Sequence, residues 1–582
     1  MCGIAGIVSF KNKVELAGLK KMTDAIAHRG PDNDGHWLSD DSSVGFGHRR
    51  LSILDLSEAG KQPMHYLNRY TITFNGEIYN YIELKEELSG KGYRFVSNSD
   101  TEVLMALFDL KKEACLNDLD GMFAFAIWDN KEKTLFCARD RFGEKPFYYH
   151  YEKENRFCFA SEMKALWALG VRKIPDDQMI KKYLLTSGIT DDTDLTKTFY
   201  ANIRQLDASH YLIIKPGSEL QIRRYYSLNN VEENKTITLG EAAKKFLDLL
   251  EKSVQLRLRS DVPVGSSLSG GLDSSGIVML IDLLKKDGVK QKTFSARFKD
   301  FNNDEGKYIE KVVAACKNVE ALYTWPGMDE MESELDKIIF HQEEPFASAS
   351  IFAQYKVMQL AKDNSVTVLL DGQGADEQLA GYLPYFRLYL NQVFNSDHSA
   401  YFKQYNAYTS NHGKIFPLED LSSKETLRMK LGRIKQSIFK TNTNKVPDLL
   451  KKQLLHDVQV SGLKDLLRYA DRNSMAHSRE VRLPYLSHHL VEFVFSLPDN
   501  YKLNNGWTKF VQRKALEPVL PKDITWRLDK IGYEVPQNRL MNSVAIKEKV
   551  AKTRKAIYDN GMLDKDLNVN DWQCLMLHSF LN

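Results

Sequence analysis

The chain has 582 residues, of which 43% are hydrophobic and 27% charged, and its formal net charge at pH 7 is +3. A chain of this length exceeds what one hydrophobic core normally supports, so we expect two or more domains. The nearly balanced charge gives no reason to expect nucleic acid or an anionic membrane surface as a partner. Six widely spaced cysteines form no CxxC pair, which argues against a disulfide framework or a zinc site and favours a reducing, cytoplasmic setting.

The first residues do not have the pattern of a targeting segment. A short apolar run, residues 4–8, is followed directly by Lys11 and Lys13. A signal peptide would carry a charged region and then a longer apolar segment, and no later stretch reaches the length that spans a bilayer. We therefore expect no membrane partner.

Short runs of aromatic and β-branched residues dominate the chain up to about residue 205. These runs predict strands, and two intervening patterns predict helices at residues 81–90 and 101–110. The predicted strands are residues 70–74, 122–128, 134–138, 147–151 and 156–160. Many strands with few helices predict a layered α+β sandwich rather than alternating strand–helix units.

From about residue 240 the pattern changes to alternating helices and strands. In order, it predicts helix 239–258, a Gly-rich turn, helix 273–286, strand 292–298, a helix starting near Asp304 and strand 366–370. This alternation predicts a doubly wound parallel sheet, whose ligands bind in loops at the carboxyl ends of the strands. Residues 385–450 are interpreted as a helical elaboration of that second domain. The predicted organisation is a first domain at residues 1–205, a connecting segment at 206–238 and a second domain at 239–582.

A cysteine stands second in the opening sequence Met1-Cys2-Gly3-Ile4. Its small size permits removal of the initiator methionine, which would leave Cys2 with both a thiol and a free α-amine. An α-amine titrates near 7.7 to 8.0 and a thiol near 8.5, so at neutral pH the amine can accept the thiol proton, directly or through a water. The ordinary alternative is a cysteine that merely packs in a buried strand.

Five further segments of the first domain decide between these interpretations. They are Ala27-His28-Arg29-Gly30-Pro31-Asp32, Gly47-His48-Arg49-Arg50-Leu51-Ser52-Ile53, Phe74-Asn75-Gly76-Glu77-Ile78-Tyr79-Asn80, Ser99-Asp100-Thr101-Glu102 and Ala138-Arg139-Asp140-Arg141-Phe142-Gly143. In this order, after an N-terminal Cys-Gly-Ile, they resemble the class II glutamine amidotransferase domain of the N-terminal-nucleophile family, which is an αββα sandwich. The resemblance spans essentially the whole first domain.

The resemblance implies a catalytic group in this domain. Cys2 would attack the side-chain amide of glutamine, and the resulting oxyanion would be held by the side-chain amide of Asn75 and the backbone N–H of Gly76. Glycine at residue 76 lets the backbone approach the substrate closely.

The resemblance also implies a binding site for the rest of the glutamine molecule. Arg50 would bind the α-carboxylate, while Glu77 and Asp100 would bind the α-ammonium group. The neighbouring residues of the implied site are Leu51, Ser52, Ile53 and Leu54. Together these groups would recognise an amino acid rather than a bare amide.

A Gly-rich segment lies between a predicted strand and a predicted helix of the second domain. It reads Ser269-Gly270-Gly271-Leu272-Asp273-Ser274, and no Gly-Lys-Ser/Thr follows, so it is not a Walker loop. Small residues and exposed N–H groups at the start of a helix can wrap a phosphate chain. The segment resembles the pyrophosphate loop of ATP pyrophosphatases, which cleave ATP to AMP and pyrophosphate while adenylating a substrate. The ATP contacts so implied are Leu268, Ser269, Gly270, Gly271, Asp273, Ser274, Ala296, Asp371 and Gly372.

A second Gly-rich segment, residues 371–377, follows the predicted strand 366–370. In a doubly wound sheet the two loops would lie side by side, with Asp273 and Asp376 facing each other across the nucleotide. Two carboxylates with phosphate oxygens form an ordinary Mg²⁺ environment, whereas helix capping is the alternative role for such residues.

Residues 472–486 and 526–533 complete a resemblance to glutamine-hydrolysing asparagine synthetases over the entire chain. The resemblance implies that ATP with Mg²⁺ adenylates the side-chain carboxylate of aspartate, that ammonia from glutamine attacks this adenylate, and that Lys530 neutralises the departing pyrophosphate. Free ammonia is mostly protonated in bulk water, so an internal, desolvated passage between the two sites is implied as well. A homodimer is a further expectation.

Three positions depart from the pattern of that family. Gln373 and Glu343 stand where Glu and Asp are usual, and Ser487 replaces an Asp. Since a glutamine side chain cannot act as a base, the acceptor is the least fixed part of the prediction. Two acceptors stay open: aspartate, and another carboxylate such as a sugar uronate or a cell-wall amino acid in cell-surface biosynthesis. The joint presence of the candidate catalytic residues argues against a third class, a non-catalytic paralogue.

Overall fold

The computed structural model describes residues 1–215, 218–285, 290–299, 301, 303–413, 448–528, 535–563 and 569–581. Within the described residues, the first part of the chain builds two antiparallel sheets and the remainder builds one parallel sheet surrounded by helices. No described helix combines the length and the apolar character that crossing a bilayer requires.

The first domain is built on two facing six-stranded sheets. Its strands are β1 (Gly3–Ser9), β2 (Asn33–Leu38), β3 (Val44–Arg50), β4 (Met64–Tyr66), β5 (Tyr70–Ile78), β6 (Gly121–Asp129), β7 (Thr134–Arg139), β8 (Tyr148–Glu152), β9 (Arg156–Ala160), β10 (Arg204–Gln205), β11 (His210–Ile214) and β12 (Gln221–Arg224). The strand orders are β10-β8-β9-β1-β3-β2 and β12-β11-β7-β6-β5-β4. Alternate side chains of both sheets, among them Phe46, Trp128 and Phe159, form one buried cluster because each sheet turns its apolar face inward.

Helices cover the outer faces of both sheets. They are α1 (Leu16–Ala25), α2 (Tyr81–Gly90), α3 (Asp100–Lys111), α4 (Met163–Ala168) and α5 (Asp177–Thr186). Helices α1 and α4 pack together on the first sheet, and α3 packs on β5 of the second sheet with α2 beside it. The predicted αββα sandwich is therefore confirmed.

The first domain continues beyond its predicted end at residue 205. Strand β11 pairs with β7, and β12 pairs with β11, so both strands extend the second sheet. Most of the predicted connecting segment, residues 206–238, therefore belongs to the first domain. The physical reason is that β7 would otherwise expose unpaired N–H and C=O groups at the edge of the sheet, and β11 supplies their hydrogen-bond partners.

The second domain contains a five-stranded parallel sheet. Its strands are β13 (Val264–Ser267), β14 (Gln291–Ala296), β15 (Val319–Thr324), β16 (Val368–Leu370) and β17 (Glu480–Arg482). Their order is β15-β14-β13-β16-β17, so the chain reverses its direction of progress across the sheet between β13 and β16. This is the topological switch point at which doubly wound sheets bind ligands, and the doubly wound prediction is confirmed.

Helices surround the parallel sheet and form the C-terminal part of the domain. They are α6 (Leu239–Arg257), α7 (Leu272–Leu284), α8 (Gly306–Ala315), α9 (Met328–Gln342), α10 (Ser350–Asp363), α11 (Ala375–Leu379), α12 (Leu383–Ser396), α13 (His398–His412), α14 (Leu449–Gln459), α15 (Leu463–Ala476), α16 (His488–Ser496), α17 (Asp499–Lys502), α18 (Phe510–Leu516), α19 (Lys522–Thr525), α20 (Gln537–Met541), α21 (Val544–Asp559) and α22 (Asp571–Leu581). A reciprocal capping box between Thr238 and Glu241 fixes the start of α6 at the predicted residue. The helical elaboration predicted for residues 385–450 is present in α12 and α13, whereas residues 414–447 lie outside the described residues.

The two domains meet through a buried network of charges. Arg29 of the first domain forms two hydrogen bonds with the carboxylate of Asp471, at 2.8 and 2.9 Å, and a third with Glu162 at 2.8 Å. Arg472 lies between Glu162, at 3.1 Å, and Glu343, at 2.7 Å. All five side chains are buried, and each ion has partners of opposite charge, so the network offsets the cost of removing these groups from water.

Candidate active sites

Cys2 lies at the start of β1, in the interior of the molecule. Its backbone nitrogen donates a hydrogen bond to Oδ1 of Asn75 at 2.9 Å, and its Sγ lies 3.9 Å from the carbonyl oxygen of Leu51. The preceding Met1 is buried, and its amino group pairs with Glu480 at 2.9 Å. Burial raises the pKa of the Cys2 thiol, and the nearby positive amino group opposes that effect.

The two residues implied to hold an oxyanion lie side by side on β5. The Nδ2 atom of Asn75 is buried and, within the described part of the chain, has no hydrogen-bond partner. At Gly76, an added Cβ would lie 2.2 Å from the carbonyl oxygen of Met122, so no other residue fits there. An unused amide donor therefore stands on the residue whose oxygen binds the nitrogen of Cys2.

Arg50 ends β3 and is held by the loop that follows it. Its guanidinium donates to the carbonyl oxygens of Leu54, at 3.3 Å, Ser57, at 3.0 Å, and Asp55. An added Cβ at Gly60 would lie 2.2 Å from its Nη2, so this close approach depends on glycine. The rest of the implied glutamine loop is buried at Leu51, Ile53 and Leu54 and half-buried at Ser52.

The carboxylates implied to bind an α-ammonium group are buried together behind β5. Burial raises the pKa of Glu77 well above its usual value, while Arg482 opposes the rise from 3.3 Å away. The Oε1 atom of Glu77 is buried and finds no hydrogen-bond partner among the residues that the structure describes. Asp100 accepts a hydrogen bond from the backbone N–H of Ile78 at 2.9 Å, and burial raises its pKa to about 6. Oε1 of Glu77 thus remains available to bind a substrate group, whereas its Oε2 contacts Arg482 and Asp100 accepts a backbone hydrogen bond.

A cavity of about 400 Å³ opens at the switch point of the parallel sheet. It lies between the loop after β13 and the loop after β16, and its lining includes the predicted ATP residues Leu268, Ser269, Gly271, Asp273, Ser274, Asp371 and Gly372. Gly270 does not line it; its φ of 75° is left-handed, and an added Cβ would lie 2.9 Å from Tyr308. Ala296 does not line it either, because it ends β14 and packs against a neighbouring apolar cluster.

The two aspartates predicted to hold a metal converge on one point at the edge of this cavity. The Nζ atom of Lys509 lies 2.6 Å from Asp273 and 2.8 Å from Asp376. Both carboxylates therefore already share one position suited to a cation, and the donor set fits Mg²⁺. Lys530, the predicted pyrophosphate residue, lies outside the described residues.

Several residues of the cavity were missed by sequence reasoning. Lys509 and Arg513 both line it, and Arg527 lines it while donating to the carbonyl oxygen of Gly270 at 3.2 Å. Buried Glu377 also lines the cavity and accepts a hydrogen bond from Tyr382 at 2.6 Å. The spacing of Lys509 and Arg513, one helical turn apart beside the start of α18, was the available signal.

Two family models match this chain. One, described as a glutamine amidotransferase domain, matches residues 1–226, and the other, described as asparagine synthase, matches residues 245–566. Asparagine synthetase [glutamine-hydrolyzing] 1 of Bacillus subtilis is 34% identical, with 92% of this chain and 87% of the relative covered. Asparagine synthetase 3 of the same organism is 32% identical, with 90% and 86% covered, and putative asparagine synthetase 2 of Methanocaldococcus jannaschii is 38% identical, with 67% and 77% covered.

The chain belongs to the glutamine-hydrolysing asparagine synthetase family. The predicted order, an amidotransferase domain followed by a synthetase domain, is confirmed by the two matches.

Of the three departures from the pattern of the asparagine synthetase family, one lies in the cavity. Gln373 lines it, and its Oε1 is buried with no hydrogen-bond partner among described residues. Glu343 belongs to the charged network between the domains and accepts the backbone N–H groups of Met163, at 3.0 Å, and Lys164, at 2.7 Å. Ser487 is buried at the start of α16, away from the cavity lining. Only the first departure therefore lies where an acceptor would bind.

Proposed function

We propose that this protein converts aspartate to asparagine, with glutamine as the nitrogen donor and ATP as the source of the activated carboxylate. The observation that carries the proposal is the presence of two separate sites in one chain of this family. One site brings Asn75 to within 2.9 Å of the nitrogen of Cys2, and the other is a cavity at the switch point of a parallel sheet. AMP, pyrophosphate, glutamate and asparagine would be the products.

The glutaminase half requires a free α-amine on Cys2, so removal of Met1 is its first step. The amine would then accept the proton of the Cys2 thiol, and the sulfur would attack the γ-amide of glutamine. The unused Nδ2 of Asn75, with the N–H of Gly76, would stabilise the oxyanion. The buried carboxylates Glu77 and Asp100 would bind the α-ammonium group of the substrate.

Recognition of the α-carboxylate is assigned to Arg50. Three carbonyl oxygens already orient its guanidinium, so little side-chain entropy would be lost on binding. The carboxylate would find this cation beside buried Leu51 and Ile53, in the loop that also supplies the carbonyl nearest the thiol. These contacts support glutamine, rather than a simple amide, as the substrate.

In the synthetase half, ATP would bind along the Ser269–Gly271 loop at the start of α7. There the N–H groups and the positive end of the helix favour phosphate. Asp273 and Asp376 would hold Mg²⁺, which supplies charge neutralisation for the phosphate chain. Lys530 would act on the departing pyrophosphate. The side-chain carboxylate of aspartate would attack the α-phosphorus of ATP and release pyrophosphate, and ammonia would then attack the acyl carbon of the resulting adenylate and release AMP.

Transfer of ammonia between the halves needs a route free of bulk water. A buried apolar cluster begins next to Cys2 and includes residues of both domains, namely Met1, Tyr79, Met122, Leu256 and Met475. Loss of Met1 would vacate part of this cluster. The cluster supports a desolvated passage, because ammonia that entered bulk water would be protonated and would no longer react.

Aspartate is proposed as the acceptor over other carboxylates for two reasons. The relatives that cover most of this chain carry the name asparagine synthetase. Of the three departures from the family pattern, Glu343 and Ser487 lie outside the cavity, which leaves Gln373 alone to alter it. A homodimeric assembly stays a prediction.

The deciding experiment is pyrophosphate release from ATP, measured with glutamine present across a panel of carboxylates. We expect release with aspartate, together with formation of one asparagine per pyrophosphate. Release with a uronate or a cell-wall amino acid, and none with aspartate, would contradict the proposed acceptor while leaving the amidotransferase chemistry intact.

A further inference from the structure

The side chain of Arg482 crosses from the synthetase domain into the glutamine site of the first domain. Its Nη2 lies 3.3 Å from Oε2 of Glu77, and its Nε donates to Glu480 at 2.6 Å. Its Nη1 donates to the carbonyl oxygens of Arg257, at 2.8 Å, and Arg259, at 2.6 Å. The residue is fully buried, and three hydrogen bonds fix its guanidinium, whereas Nη2 has no hydrogen-bond partner in the described residues and makes only the ion-pair contact with Glu77.

The main chain of the same residue is part of the ATP cavity's framework. Arg482 stands opposite Leu370 in the parallel pairing of β17 with β16. Its carbonyl oxygen accepts the backbone N–H of Asp371 at 3.0 Å, and Asp371 lines the cavity. One residue therefore forms a backbone hydrogen bond with the synthetase site and, through its side chain, an ion pair with the glutaminase site.

We propose that Arg482 is a positioning residue of the glutaminase, which holds Oε2 of Glu77 in ion-pair contact and so leaves Oε1 aimed at the α-ammonium group of glutamine. The synthetase domain thereby sets the selectivity of the other domain for an amino acid over a simple amide. The inference deepens the proposed function and rests on the assignment of Glu77 to the α-ammonium group.

Electrostatics of the buried site support this role. Glu77 lies beside two other buried carboxylates, those of Asp100 and Glu480, and both favour its neutral form, as does burial itself. Arg482 is the strongest influence that favours the charged form, ahead of the chain's amino group. Removal of that guanidinium would raise the pKa of Glu77 further, favour its neutral form and weaken its attraction for a cation.

The geometry leaves Glu77 ready for a substrate while Arg482 holds it. Arg482 approaches Oε2, whereas Oε1 is buried with no partner in the described residues. A carboxylate held at one oxygen by an immobile guanidinium presents the other oxygen in a fixed direction. An ammonium group can then bind without reorganisation of the site.

The test compares glutamine with 4-carbamoylbutanoate, which has the same amide and carboxylate but lacks the α-amine. Full-length Arg482→Met should raise the KM for glutamine by about tenfold to a hundredfold, the range for loss of a charged hydrogen bond, while kcat changes little. Hydrolysis of 4-carbamoylbutanoate should be almost unaffected, so the preference for glutamine falls. Arg482→Lys should restore part of the preference, because it keeps the charge with a shorter reach.

The matched control is Arg479→Met, three residues earlier, because Arg479 donates only to the carbonyl oxygens of His477 and Val366 in the described hydrogen bonds. It should leave the preference unchanged. If Arg482→Met lost activity on glutamine and on 4-carbamoylbutanoate to the same degree, the inference would be overturned. If Arg482→Met does not fold, the same result with Arg482→Lys would overturn it. Ammonia-supported asparagine formation reports whether each variant is folded.

A Glu77→Gln variant distinguishes two kinds of failure. Either Arg482 does not position Glu77, or Glu77 does not bind the α-ammonium group of glutamine. If Glu77→Gln keeps the preference for glutamine, the assignment of Glu77 is wrong. If Glu77→Gln loses the preference and Arg482→Met keeps it, Glu77 binds the substrate without Arg482 and the inference alone is wrong. The inference expects both single variants and the double variant to lose the preference to a similar degree, because the two residues act as one unit.

Discussion

Substitution of Asn75 by alanine tests the proposed role of its side-chain amide as an oxyanion donor. Its Nδ2 is a buried amide donor without a partner in the described residues, and its Oδ1 accepts the nitrogen of Cys2 at 2.9 Å. The variant removes both groups but leaves the backbone of β5 in place. Loss of one preorganised oxyanion donor typically raises a barrier by about 3 to 4 kcal/mol. We therefore expect kcat for glutamine hydrolysis to fall by about a hundredfold to a thousandfold.

The assay measures glutamate release from glutamine and, in parallel, asparagine formation supported by ammonium chloride. The second activity bypasses Asn75, so it should stay within about twofold of the unmodified protein and show that the variant is folded. Asn130→Ala, at an exposed turn of the same domain, is the matched control and should change neither activity.

Two outcomes would refute the reasoning about Asn75. A fall in glutamine hydrolysis of less than about fivefold would mean that the amide donates little to the transition state. An equal loss of ammonia-supported synthesis would mean that Asn75 acts through the fold rather than through the oxyanion.

Three further predictions address the nucleophile, the synthetase site and the interface. Cys2→Ala should abolish asparagine formation from glutamine and leave the ammonia-supported reaction, as followed by amino-acid analysis; loss of both would contradict independent half-sites. Asp376→Asn should abolish ATP-dependent pyrophosphate release with either nitrogen source while glutamate release continues, and retained synthesis would exclude this carboxylate from the metal site. Arg29→Met leaves buried Asp471 without its bidentate partner and should lower the free energy of unfolding by about 3 to 5 kcal/mol in a denaturant titration. Arg29→Met combined with Asp471→Leu should recover much of that loss, and a double variant as unstable as the sum of both singles would contradict the pairing.

Local signals in the sequence predicted the scaffold well. The helix predicted at residues 81–90 has those limits in the structure, and the strand at 156–160 is also reproduced. Periodicity and turn residues are encoded within a few positions, so they can be read without knowledge of the fold. The same holds for the Gly-rich loop at Ser269, whose sequence predicted a turn between a strand and a helix.

What the sequence did not predict depends on contacts between distant segments. Strand β11 pairs with the edge of β7, and no local pattern within residues 206–214 indicates that β7 is its partner. The pairing of Arg29 with Asp471 spans 442 positions, and spacing along the chain carries no signal for it. Lys509 was missed in the cavity lining for the same reason, since its partners Asp273 and Asp376 stand in the first turns of α7 and α11, far from it along the chain.

The charged network between the domains restricts how the two halves can dock. Removing an ion from water costs several kcal/mol, and only a partner at the right distance and angle offsets that cost. A domain docked in another orientation would leave Arg29 or Asp471 buried and unpaired, so the bidentate contact at 2.8 and 2.9 Å disfavours every other arrangement. An apolar interface would tolerate sliding, because contact between hydrocarbon surfaces has little directionality. In the arrangement that the charges select, Arg482 reaches Glu77, and the apolar cluster at Met1 closes around residues of both domains.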